Sequence, residues 1–225
     1  MTFSLAGICA ETGEIGYAVT TSSVCVGARV GAIGPDCVVF SQARTDPRLH
    51  GVGLAAHAAT GSAAAAIGAM QGAAVAAHWR QLGILTRRGE ALHFTGASCL
   101  PECGGLTGEG CLALGNFLGA PEVMPAMVAG FEAATGPLAA RLIAGLAAGV
   151  AAGAERDPLQ SAALKVLGSE GIFSADLRAD RSPTPVDALA ELWADWAPKA
   201  DAYRLRVLDP DSAPPSREVE HANRG

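Results

Sequence analysis

Apolar and polar positions change period several times along this chain, and the changes mark its elements. Thr2 to Cys9 and Ile15 to Thr21 are two short strand-compatible runs, and Glu11-Thr12-Gly13-Glu14 between them offers a Thr-Gly centre for a tight turn, so a hairpin is expected. Val26 to Ile33 and Cys37 to Ala43 repeat the pattern around Gly34-Pro35-Asp36. The pattern then turns helical. Asp46 can cap, Pro47 suits a first helical turn, and Arg48 to Ala59 and Ser62 to Gln71 are predicted as two Ala-dense helices broken at Thr60-Gly61. His78 to Thr86 and Glu90 to Thr95 predict another hairpin, turning at Arg87-Arg88-Gly89. Gly96 to Gly110 reads as a loop too long to be mere connection, and long ordered loops tend to be functional.

Cys111 to Phe117 returns as a strand. Pro121 to Ala134 and Pro137 to Ala152 carry helix-opening prolines and helical periodicity, and Gln160 to Leu167 and Ile172 to Asp180 resume strand character. Pro185 to Trp196 is predicted as an amphipathic helix with Leu189, Leu192, Trp193 and Trp196 on one side. Beyond Asp209 the Pro, Ser and charged composition predicts a poorly packed tail, giving one domain over residues 1–208 and a tail over 209–225. Two helical layers flanking stacked antiparallel sheets, an α+β fold, account for this order of elements. A doubly wound α/β sheet is the other option, and the early hairpins argue against it, because parallel strands need a crossover between them.

The 225 residues are 50% hydrophobic and 17% charged, enough to bury a full core. Aromatic residues are scarce, so the core must use small side chains on closely approaching elements. A net charge of -6 supplies no footprint for nucleic acid or an anionic membrane. Gly53 to Ala77 and Leu138 to Gly153 are apolar but interrupted by His57, Gln71, Arg141 and several glycines, which marks buried helix, not a membrane span. The first residues lack a basic and an apolar signal region, so a cytoplasmic protein is expected. Cys99, Cys103 and Cys111 lack paired metal-ligand spacing, and the six cysteines read better as reduced, small apolar residues than as a metal site. The chain has no Walker loop, GxGxxG, HExxH or GxSxG pattern, and neither a metal nor a cofactor is expected.

Thr2 is the candidate for chemistry. If Met1 is trimmed, Thr2 holds a hydroxyl nucleophile and a free α-amine whose pKa of roughly 8 lets it accept the hydroxyl proton. Ser22 and Ser23 fall at the end of the second strand, at the same end of the sheet as Thr2, where their hydroxyls could orient the amine. Gln42, Arg44 and Asp46 alternate at the end of the fourth strand and could meet a substrate amide or carboxylate; a solvated edge explains them equally well. Asn116, after Gly115 at a strand end, could donate to an oxyanion, a role worth ~3 kcal/mol for one good donor. Glu155 precedes the strand that Ser161 opens, and Asp176, Arg178 and Asp180 alternate on one face near the C-terminus, where Arg178 or Arg44 could anchor a carboxylate.

With these residues the chain resembles the bacterial family known as domain of unknown function 1028, grouped with N-terminal nucleophile (Ntn) hydrolase-like proteins. The landmarks are Thr2-Phe3-Ser4, Gly13-Glu14-Ile15-Gly16, Thr21-Ser22-Ser23, Ser41-Gln42 with Thr45-Asp46-Pro47-Arg48, and Trp79-Arg80-Gln81-Leu82-Gly83. Phe94-Thr95-Gly96, Gly115-Asn116, Ala152-Gly153 before Glu155, Ser161-Ala162 and Asp176-Leu177-Arg178 with Asp180 follow in order. The resemblance implies a four-layer αββα sandwich, and it carries the nucleophile role to Thr2. It departs from the proteasome-like branch, whose threonine has a lysine beside it: the first lysine here is Lys165, so a tuning cation would have to be Arg29 or Arg44. The expected activity is hydrolysis of a small amide or ureide, with a non-catalytic binding or assembly protein as the alternative. A homodimer through the small-residue surface of Gly53 to Ala77 is also expected.

Overall fold

The computed structural model describes residues 1–221. The chain opens with the expected hairpin, β1 (Thr2–Ile8) against β2 (Ile15–Thr21), followed by β3 (Gly31–Ile33) and β4 (Cys37–Ala43). Helices α1 (Arg48–Thr60) and α2 (Ala63–Ala73) follow, then β5 (Arg80–Thr86), β6 (Ala91–Thr95), β7 (Gly104–Gly108) and β8 (Cys111–Asn116). Helices α3 (Val123–Ala133) and α4 (Leu138–Ala151), strands β9 (Ser161–Leu167) and β10 (Phe173–Ala179), and helices α5 (Pro185–Leu208) and α6 (Ser216–His221) complete it. Every pairing is antiparallel, in a six-stranded sheet ordered β10-β9-β2-β1-β8-β7 and a four-stranded sheet ordered β3-β4-β5-β6.

Strand periodicity explains the layering, because successive side chains leave opposite faces. Phe3 and Leu5 of β1 pack against Phe131, Leu142 and Leu146 of α3 and α4. Their neighbour Ala6 faces the other way, with Tyr17, Phe40, Leu85, Leu112 and Leu114 filling the space between the sheets. Val39, Leu82 and Ile84 form a third core with Leu49, Ala66 and Met70 under α1 and α2. The result is an α+β sandwich with helices on both outer faces.

Several stretches differ from the sequence pattern. Val26 to Ile33 is not one strand: Val26–Ala28 coils into a single 3-10 turn, and only β3 remains extended. Ser161 Oγ accepts from Val26 N at 3.0 Å, and the Arg29 guanidinium donates to the Val24 and Cys25 carbonyls at 2.7 and 2.8 Å, which holds the backbone curled. His78 likewise belongs to a short turn, Ala77–Trp79, that precedes β5. The supposed loop from Gly96 to Gly110 contains β7, which pairs with β8 along its whole length. At Gly105 of β7 a Cβ would stand 2.7 Å from the His93 ring, so the strand's close approach depends on glycine.

Helix α5 continues through Pro198 to Leu208. A mid-helix proline forfeits one backbone bond, and Trp196 stacked on Tyr203 with ring centroids 5.2 Å apart, together with Lys199 bridging Asp195 at 3.0 Å and Glu220 at 3.4 Å, ties the two halves together. Beyond Asp209 most of the described residues are exposed, and the short helix α6 sets Val219 into a buried position; residues 222–225 lie outside the described residues. Asp46 does cap, from one residue earlier than Pro47: its Oδ1 accepts from Arg48 N at 3.2 Å.

Candidate functional site

Register places the polar residues. Thr2 stands opposite Asn116 of β8, and Phe3 opposite Thr20 sets Thr2 beside Thr21 of β2, which in turn pairs with Ser161 of β9. Thr2 and Ser4 share the face of β1 that looks at the second sheet, where Gln42 and Gln81 are directly paired. A hydrogen-bonded floor results. Ser4 Oγ donates to Gln42 Oε1 at 2.8 Å, and Gln42 Nε2 to Gln81 Oε1 at 2.7 Å. Asn116 Nδ2 donates to the same Gln81 oxygen at 2.9 Å and to the Thr2 carbonyl at 3.3 Å. Gln81 Nε2 donates to Thr95 Oγ1 at 3.0 Å and to the Gly115 carbonyl at 2.8 Å. Buried amides satisfied this fully make a rigid platform.

Thr2 lies on that platform, 4% exposed, under Met1. The Thr2 and Thr21 hydroxyls both donate to the Met1 carbonyl, and their oxygens are 3.4 Å apart. Ser22 Oγ meets Met1 Sδ at 3.8 Å. Ser22 N donates to Glu155 Oε2 at 3.1 Å, while Oε1 of this carboxylate, on a residue only 6% exposed, has no partner. The backbone before Glu155 is specialised: Gly153 has φ +136° and Ala154 φ +51°, and Glu155 bridges to Leu118. Burial pushes the Glu155 carboxyl up to about 7, against the nearby Ser22 and Thr21 groups and the Met1 amine, which favour its ionised form. Burial lowers the Met1 amine below its ordinary value, with Glu155 opposing that shift and Arg29 adding to it. Beside Ser22 a cleft of about 810 Å³ opens between Asp157, Pro158, Gln160, Arg181 and Ser182.

Of the residues singled out in the sequence, Thr2, Asn116, Ser22, Gln42, Glu155 and Ser161 come together at this end of the sandwich. Ser161 Oγ donates to the Ser23 carbonyl at 2.6 Å and supports the loop after β2. Ser23 itself is exposed, its hydroxyl against Arg29. The other charged candidates are engaged elsewhere. Arg44 is exposed and lies 3.7 Å over the Trp79 ring, while Arg29 is a cation that lowers the Met1 amine. Asp46 pairs with Arg48 at 2.7 Å, a bond that holds its carboxyl down to about 2. On edge strand β10, Asp176 pairs with Lys165 at 2.9 Å and Arg178 with Asp180 at 2.8 Å. Asn116 differs from its expected role too, since its amide holds Gln81 and the Thr2 carbonyl.

Gln81 and Thr21 are the residues that sequence reasoning missed. Thr21 could have been found by counting back from the hairpin turn. Gln81 shows no spacing signal and enters only through its pairing with Gln42. Among the described residues no group of three or more His, Cys, Asp and Glu is arranged to hold a metal, and no helix is long and apolar enough to cross a membrane.

The model of a family of unknown function, DUF1028, matches residues 2–189. The chain is similar to the crystal structure of protein SPO2555 from Silicibacter pomeroyi, which carries the same family name, at 31% identity over 86% of this chain and 88% of that one, with a TM-score of 0.80. No curated protein matches.

Proposed function

This chain belongs to the DUF1028 family, and from the geometry at Thr2 we propose that it is a hydrolase of a small amide or ureide, of the N-terminal nucleophile type. The observation that carries this reading is a buried threonine hydroxyl on a fully satisfied polar platform, with a cleft opening beside the neighbouring Ser22. With Met1 removed, the Thr2 hydroxyl attacks the substrate carbonyl while its own amine takes the proton. The C–N bond breaks, the leaving nitrogen takes the proton back, and water resolves the ester. Asn116 holds Thr2 in place. Ser22 Oγ, released from Met1, is a side-chain donor for the oxyanion. Few aromatics suit a small polar metabolite better than a polymer. The cytoplasm, where free metabolites meet such an enzyme, belongs to the same reading.

In the alternative, a binding or assembly protein that keeps the sandwich, Met1 stays in place with its carbonyl accepting from both hydroxyls. Intact mass of the native protein followed by treatment with a β-lactone separates the two. We expect loss of Met1 and one covalent adduct on Thr2, absent in Thr2→Ala and retained in Thr2→Ser. Retained Met1 with no adduct favours the alternative.

A further inference from the structure

Resting on Thr2 as the nucleophile, we propose that Glu155 is the proton store of this site, taking through the Thr21 hydroxyl the proton that Thr2 gives to its amine and returning it to the leaving nitrogen. Thr21 Oγ is 3.4 Å from Thr2 Oγ1 and donates to the Met1 carbonyl, the group bonded to the Thr2 nitrogen. Removing Met1 takes away that acceptor and frees the Thr21 hydroxyl proton for Glu155, which Thr21 approaches closely enough to favour its ionised form.

A purely structural role does not account for this carboxylate. Holding Ser22 N needs one oxygen, and the other is buried with no partner. A glutamine would serve that purpose without burying a charge. Among the described residues no side-chain cation pairs with it. Arg156 turns to the Leu118 carbonyl at 3.2 Å and lies over Phe117, and Arg29 is held by the Val24 and Cys25 carbonyls. The Met1 amine, Asp157 and Cys99 are other ionisable groups around this end of the site. A carboxyl pushed up to about 7 can both take and return a proton near neutrality.

The step balances. The amine lone pair takes the hydroxyl proton as the Oγ–C bond forms, the ammonium donates to Thr21 Oγ, and the Thr21 proton moves to the Glu155 carboxylate. Amine and acid are then both neutral. When the C–N bond breaks, the leaving nitrogen recovers the proton along the same path.

The test is the acylation rate of Met1-processed protein by a β-lactone between pH 5 and 9, for wild type, Glu155→Gln, Glu155→Asp and Thr21→Val, with thermal melting to verify folding. Wild type should show an inflection near pH 7. Glu155→Gln and Thr21→Val should lose about 100-fold in rate and lose the inflection, whereas Glu155→Asp should retain a shifted one. Rates within twofold of wild type, with the inflection intact in Glu155→Gln and Thr21→Val, overturn the store and leave Thr2 standing. No adduct in wild type overturns the nucleophile itself. Independently of any variant, the ¹³C carboxyl titration of Glu155 should move when Thr2 is acylated. An unmoved titration also overturns the proposal.

Discussion

Glu155 leaves one carboxylate oxygen buried and unpaired, and the resulting preference for its protonated form makes stability depend on pH. The folded chain keeps this proton up to about pH 7, whereas the unfolded chain releases it in the ordinary glutamate range. Within that window the folded state binds more protons, so stability falls as pH rises, and the whole penalty, roughly 3 kcal/mol, is present above the window. Glu155→Gln should therefore match wild type near pH 4.5 and melt at higher temperature than wild type at pH 8. Equal melting temperatures at both values would show that the carboxylate is not destabilised. At this scale the sequence reveals residues whose chemistry depends on chain position. Thr2, Ser22 and Asn116 are legible because each sits at a strand end, and strand ends gather at one edge of a sheet. Asp176, Arg178 and Asp180 satisfy the same rule and still miss the site, because β10 is the outer strand and its charges pair with one another and with Lys165. Strand order decides this, and strand order leaves no mark in the local pattern.

At the scale of elements, small residues set how closely layers approach. A Cβ on Gly145 of α4 would stand 2.3 Å from Leu5 Cδ2 and 2.9 Å from the Met127 carbonyl, a backbone atom that moves only with α3. Gly145→Ala should thus cost about 1–3 kcal/mol by overpacking, read as a lower denaturant midpoint. Gly68 of α2 is the control: nothing lies within 4 Å of its would-be Cβ. Gly68→Ala should gain up to about 1 kcal/mol from helix propensity alone, and equal destabilisation by both would refute the packing argument. The same contrast explains which elements the pattern revealed. Helices α3 and α4 announce themselves by opening prolines and apolar periodicity, and β1 and β2 by a short turn. Strand β7, Gly-Gly-Leu-Thr-Gly, has almost no apolar pattern and is extended because β8 supplies its partners. Val26 to Ile33 has the composition of a strand and coils at its start because Ser161 takes the Val26 N–H and Arg29 the two carbonyls just before it.

The whole molecule is a sandwich whose order of elements was readable because each hairpin commits its strands to antiparallel pairing and each helix pair covers the sheet beside it. The stretch after Leu208 was not, since its contacts form over α5 and not within its own sequence. Val219 of α6 is buried, Tyr203 Oη donates to Glu220 at 2.7 Å, and Lys199 reaches the same carboxylate. A chain ending at Leu208 loses all three. Burial of one valine side chain contributes about 1.5–3 kcal/mol at most, and the partly exposed polar contacts add little. For a protein of this size each kcal/mol moves the melting temperature by roughly 2–4 °C, so the shortened chain should melt several degrees lower, in one transition. Thr2 belongs to the opening strand and its partners to β2, β5, β8 and the Glu155 loop, none of which touches α6 through these contacts. β-Lactone labelling of Thr2 should accordingly persist in the shortened chain at the wild-type rate. If labelling disappears while the single melting transition remains, α6 bears on the site through α5, and the separation of tail from chemistry argued here is wrong.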